Sequence, residues 1–134
     1  MTDQWTARRM PRAVRWAVAG VWVHAALSGF AGLVLLAALG RNQGGEVAPV
    51  RFIAMASVLV GLLLGTCAGL ASRRAGWTRT TVVVVEALSV ATAALLLLTG
   101  SLAALTGIAL GAFVLRTFLS PVGRAWFDDQ APSG

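Results

Sequence analysis

Four side chains in this sequence place a reactive group inside otherwise apolar stretches: His24, Cys67, Glu86 and Arg116. Glu86 follows five residues of Thr81-Val82-Val83-Val84-Val85, and Arg116 follows Phe113-Val114-Leu115. A carboxylate in such surroundings either pairs with a cation or lines a proton or cation path, because an uncompensated charge in hydrocarbon is expensive. Reflecting the third and fourth apolar runs about Gly100-Ser101 brings position 86 to the level of position 115, so Glu86 and Arg116 are expected at nearly one depth and as an ion pair. Counting from Arg79, Glu86 sits about 10 Å into its helix; counting from Arg15, His24 sits about 14 Å into its own. His24 is therefore a candidate partner for Glu86 in proton handling, with a structural hydrogen bond as the plainer role. Thr66 and Cys67 fall at comparable depth and Ser89 lies one turn from Glu86. Packing and backbone hydrogen bonding account for those three.

Other chemistry is poorly provided for. The chain has no lysine, which excludes a phosphate-binding P-loop lysine and a Schiff base, and one histidine with one cysteine gives no His-x-x-x-His or clustered-thiol metal site. No Gly-x-Ser-x-Gly elbow occurs. Cys67 has no partner for an intramolecular disulfide. Asp128-Asp129 is a paired acid in a short polar tail and reads as solvated. The expectation is a protein without catalytic activity, metal or cofactor.

The elements that position these residues are set by composition. Of 134 residues, 57% are hydrophobic and 12% charged, against about 25% charged in ordinary soluble domains. Runs without charge, or with one, cover 16–40, 52–72, 80–98 and 102–119, each near the ~20 residues that span a bilayer. The fourth reaches that length only by taking Arg116 into its last turns. The linkers are polar Arg41-Asn42-Gln43-Gly44-Gly45-Glu46, the arginine-rich stretch around Gly76-Trp77, and Thr99-Gly100-Ser101, while Ser120-Pro121 stops the last run. The expected fold is all-α: four transmembrane helices in an antiparallel bundle over residues 13–120, with a basic tail at 1–12 and a second tail at 121–134. The first run is far longer than the 7–15 apolar residues of a signal peptide and reads as a retained span.

Charge gives orientation. The net charge is +6, and all eleven basic residues are arginine. Arg8, Arg9, Arg12, Arg15, Arg73, Arg74, Arg79, Arg116 and Arg124 fall on one side of four spans, and only Arg41 and Arg51 on the other. The positive-inside rule then puts both termini in the cytoplasm, in a bacterial plasma (inner) membrane. Trp5, Trp16, Trp77 and Trp126 fall near the same boundary, as interfacial aromatics do, and Trp22 lies deeper. This placement assigns the basic charge to topology and the lipid bilayer rather than to nucleic acid.

Helix association in lipid depends on close packing, since lipid tails are as apolar as leucine. Gly61-x-x-x-Gly65-x-x-x-Gly69 and Ala103-x-x-x-Gly107-x-x-x-Gly111 are packing stripes of the second and fourth helices. Gly20, Ser28 and Gly32 share a face with His24 on the first, and Ala87, Ala91 and Ala94 supply small residues on the third. Such stripes serve packing within one chain, a homo-oligomer or a larger membrane partner. Two functions of different kinds follow: a membrane protein that acts by packing against itself or a partner, or a small oligomeric proton-coupled transporter or channel using Glu86.

The entry Pro11-Arg12-Ala13-Val14-Arg15-Trp16, the glycine-striped helices, the glutamate early in the third run and the closing Arg124-Ala125-Trp126-Phe127 resemble small four-helix integral membrane proteins of actinobacteria. The resemblance implies a membrane location more than an activity. Small multidrug transporters are similar in length and span number, but their hallmark carboxylate lies in the first helix, where this chain has His24 and no acid.

Overall fold

The computed structural model describes residues 9–41 and 47–128. Trp5, Arg8, most of the 41–46 linker, Asp129 and the rest of the C-terminal stretch lie outside the described residues. Within them the chain is all helix: α1 (Arg12–Leu39), α2 (Val47–Leu70) continued by a 3-10 turn (Ala71–Arg73), α3 (Gly76–Leu98), α4 (Ala103–Leu119) and α5 (Pro121–Asp128). Three of these, α1, α2 with its 3-10 turn, and α3, are long and apolar enough to cross a membrane, and α4 with α5 makes a fourth only if the bent pair counts as one span. At 17 residues α4 is about 25 Å long.

The α3–α4 turn is built as the Thr-Gly-Ser signal predicts. Gly100 adopts φ 89°, its N–H bonds Leu97 O, and Ser101 N–H bonds Leu96 O. These two bonds satisfy carbonyls at the end of α3 in a Schellman motif, which favours glycine at the left-handed position.

Residues 121–128 differ from the expected tail: they form a helix bent 61° from α4. Proline at 121 drives the preceding residue out of helical space, and Ser120 is extended at ψ 158°. Ser120 then caps the next helix, accepting Gly123 N–H on its Oγ at 3.2 Å. Gly123 lies so close to the end of α4 that a Cβ there would fall 2.3 Å from Thr117 O and 3.0 Å from Phe118 Cα. The helix break leaves Phe118 O without its intrahelical donor, and Arg79 Nε donates to it at 3.0 Å.

α1 packs along α2, α3 along α4, and α1 also meets α4, whereas α2 and α3 touch little. The backbones of α1 and α2 nearly meet. A Cβ on Gly61 would stand 2.8 Å from Ala25 O, and one on Gly32 would stand 2.7 Å from Ala54 O. Of the expected glycine stripe on α2, Gly61 is thus at the helix crossing, while Gly65 meets the Trp22 ring at 3.7 Å and Ala25 Cβ at 3.9 Å, and Gly69 meets the Trp22 ring at 4.0 Å. On α4, Gly107 meets Ala93 and Gly111 meets Val90.

The buried core occupies one half of the molecule, the half holding Val14, Ala17 and Val21 of α1, Leu64 and Cys67 of α2, Val82 of α3, and Val114 and Phe118 of α4. α5 closes that end with Trp126 and Phe127. Trp126 is therefore buried, with its Nε1 donating to Ala71 O at 3.1 Å and the Arg74 guanidinium 4.0 Å from its ring centroid. Phe127 stacks at 5.4 Å on Phe118. Trp16 and Trp77, by contrast, are exposed. The remaining surface is strongly apolar, with Phe30, Phe52, Leu95, Leu98 and Leu102 all exposed.

Candidate functional site

Glu86 lies ten residues into α3 on the face turned to α1 and α4, and its side chain is fully buried. Its Oε1 stands 2.9 Å from Nδ1 of His24 on α1, which is 15% exposed. The two residues are separated by 62 positions, so the contact exists only because α1 and α3 are both held against α4. Gly20 of α1 makes that approach possible: a Cβ there would already meet Val114 Cγ2 at 3.2 Å.

The second carboxylate oxygen, Oε2, is buried without a hydrogen-bond partner. It faces Gly111, where a Cβ would come within 3.2 Å of it and within 2.5 Å of Val90 Cγ2. Glycine at 111 is what lets the carboxyl group sit between α3 and α4.

Arg116 takes no part. It is exposed, and among the described residues the His24–Glu86 contact is the one salt bridge. The expected Glu86–Arg116 pair is therefore replaced by Glu86–His24. α3 and α4 do pair by the reflection about Gly100-Ser101, with Val90 opposite Gly111 and Ala93 opposite Gly107. Direction around the helix separates the partners: Arg116 is five residues beyond Gly111, a rotation of about 140°.

His24 also lines a crevice of about 520 Å³ between α1, α2 and α3. Ser28, Ser57, Ser89 and Thr92 contribute hydroxyls to it, and Phe52, Ile53, Leu88 and Leu96 form apolar walls. Ser57 donates to Ile53 O and Thr92 to Leu88 O within their own helices. Thr66 likewise bonds Leu62 O, as the structural reading expects. Cys67 is buried in the core. A second groove of about 620 Å³ runs along α1 and α2 past Trp22, Gly29, Gly61 and Gly65 and is almost wholly apolar.

The site joins a buried acid to a base that reaches an open crevice. Such a pair can hold a proton and exchange it through the ring. No group of three or more His, Cys, Asp or Glu side chains suited to a metal occurs among the described residues. The fold and site together define an all-α protein with three to four helices able to cross a membrane and one buried acid–base pair. Comparison with protein-family models, with curated proteins and with solved structures finds no match.

Proposed function

We propose that this chain is a non-enzymatic integral protein of the plasma membrane that loads a proton on the His24–Glu86 pair, as a small proton-coupled transporter. The observation that carries the reading is the 2.9 Å contact between a fully buried carboxyl group and a histidine that lines the crevice. The apolar plug of Val14, Val21, Leu64, Val114 and Phe118 on the other side of the pair suits alternating access better than an open channel. In proteoliposomes with an internal pH dye, Glu86→Gln and His24→Gln should each lower proton uptake by about 100-fold, the scale of losing a positioned acid–base group. Uptake that survives both substitutions removes the reading.

The accompanying topology is an antiparallel bundle of four spans, α4 and α5 forming the fourth, with both termini cytoplasmic. It is supported by the arginine asymmetry and by exposed Arg12, Arg15 and Arg73 gathered at the end where Trp16 and Trp77 are also exposed. Labelling of single cysteines at positions 12 and 73 from the cytoplasmic side, and at position 41 from the opposite side, tests it. The bilayer is the partner of the apolar surface, and nucleic acid is not a partner.

A second reading rests on the groove along α1 and α2, where Gly65 is half-buried and covered by the edge of Trp22 and the Ala25 methyl group. Small residues left open on a membrane helix favour a neighbouring helix, from a second copy or a larger membrane protein. Cysteine cross-linking at Leu62 in native membranes should trap that neighbour, and its absence removes this reading.

A further inference from the structure

We propose that the crevice between α1, α2 and α3 binds a neutral, membrane-soluble molecule with a carbonyl head, and that His24 Nε2–H donates the orienting hydrogen bond. The inference deepens the reading of His24–Glu86 as a proton-holding pair, on which its donor assignment rests. The walls Phe52, Ile53, Leu88 and Leu96 are at least half exposed, so the crevice opens sideways into hydrocarbon along the thinly packed α2–α3 seam. Its volume of about 520 Å³ lies within the usual range for small-molecule sites, about 300–1,000 Å³.

The polar inventory fixes the head group. No Arg, Asp or Glu lines the crevice, so a charged head would meet no direct counter-charge. With Nδ1 held by Glu86, the ring edge left to the crevice bears Nε2. A net-neutral pair is favoured where a fully buried carboxyl group has one oxygen without a partner. Neutrality admits three arrangements: Nδ1–H donating to a carboxylate from a charged ring, a carboxyl O–H donating to bare Nδ1 of a neutral ring, or a neutral Nδ1–H ring donating to Oε1 of a carboxyl group protonated on Oε2. The third strands a buried O–H, because Oε2 has no hydrogen-bond partner, and in the other two Nε2 carries a hydrogen. Ser28 lies four residues from His24 on the same face of α1, and Ser89 lies three from Glu86 on α3. Neither hydroxyl makes a hydrogen bond among the described residues, so both remain available beside Nε2–H. Three donors around an apolar slot complement one neutral acceptor oxygen.

The test uses the full chain with ¹⁵N-histidine in lipid nanodiscs, where His24 is the sole histidine and gives one ring spectrum. Added 2-undecanone should shift the Nε2–H proton downfield saturably, whereas undecane, without an acceptor, should not. Ser28→Ala and Ser89→Ala should each weaken the ketone about threefold while the Nδ1 signal stays in place. An equal response to ketone and alkane, tighter binding of dodecylamine than of the ketone, or an Nε2 without hydrogen overturns the proposal. Glu86-dependent proton uptake without a ketone response would leave the proton function standing and remove the carbonyl site. Saturable ketone binding with uptake indifferent to Glu86→Gln would do the reverse.

Discussion

Glu86 Oε1 and His24 Nδ1, 2.9 Å apart, form the polar bond that ties α3 to α1 deep in an otherwise apolar interior. Helix packing encloses the carboxyl group while the ring opens to the crevice, and the pair's energetic role is separable from its chemistry.

Removing one partner should destabilise more than removing both. His24→Leu strands a buried carboxyl group, whereas His24→Leu with Glu86→Leu replaces the pair by apolar volume, a change that is often neutral or stabilising. A double-mutant cycle read by unfolding in detergent micelles should return a coupling of about 0.6–1.7 kcal/mol, the range for polar contacts between membrane helices. Zero coupling would mean that the contact does not persist in solution.

The glycines of α2 should separate sharply. Gly61→Ala pushes a methyl group against Ala25 O and the backbone of Gly29, contacts that cannot rotate away, and should cost about 1–3 kcal/mol as overpacking does. Gly65→Ala and Gly69→Ala meet the Trp22 ring, and Gly65→Ala also Ala25 Cβ, at ordinary distances and should stay within about 0.5 kcal/mol of the parent. Thermal unfolding of the three variants in one detergent checks the ranking.

The two arginines near Phe118 should behave oppositely. Arg79→Ala removes the donor to Phe118 O, a hydrogen bond from a charged group, and should cost about 1.5–3 kcal/mol. Arg116→Ala removes an exposed side chain and should leave stability nearly unchanged. A larger loss at Arg116 than at Arg79, measured by denaturant unfolding, would contradict the geometry.

Releasing α5 should expose a tryptophan. Gly123→Val forces a side chain onto Thr117 O and Phe118, and Trp126 should then lose its cover under Arg74 and become quenchable by acrylamide. Trp126→Phe keeps an aromatic ring but loses part of the indole volume and the bond to Ala71 O, and should cost about 1–3 kcal/mol without freeing the helix. Accessibility unchanged in Gly123→Val would show that α5 is not held by this contact.

The helices and the levels of their side chains were legible in the sequence because apolar runs and turn residues act locally. Gly100-Ser101 set the α3–α4 register, and counting from the arginines put His24 within reach of Glu86. The azimuth of Arg116 was not legible, because it depends on which face of α4 meets α3, and Ala103, Gly107 and Gly111 leave that choice to three-dimensional packing. The helix at 121–128 was hidden for a different reason. Ser120-Pro121 reads equally as a stop and as a cap with a first helical residue, and only the fit of Trp126 under Ala71 decides between them.

Two tight couples, α1 with α2 and α3 with α4, meet along a seam that is pinned unevenly. Trp126 fastens the end of α4–α5 to Ala71, His24 and Glu86 fasten the middle, and beyond them no side-chain hydrogen bond joins the couples among the described residues. The molecule is thus a clothes-peg in mechanical terms: its spring end is closed by α5, its pivot is the acid–base pair, and its jaws are Phe52 and Leu96. Any rotation about that pivot would open the gap most at the jaws, where nothing polar among the described residues holds the couples together.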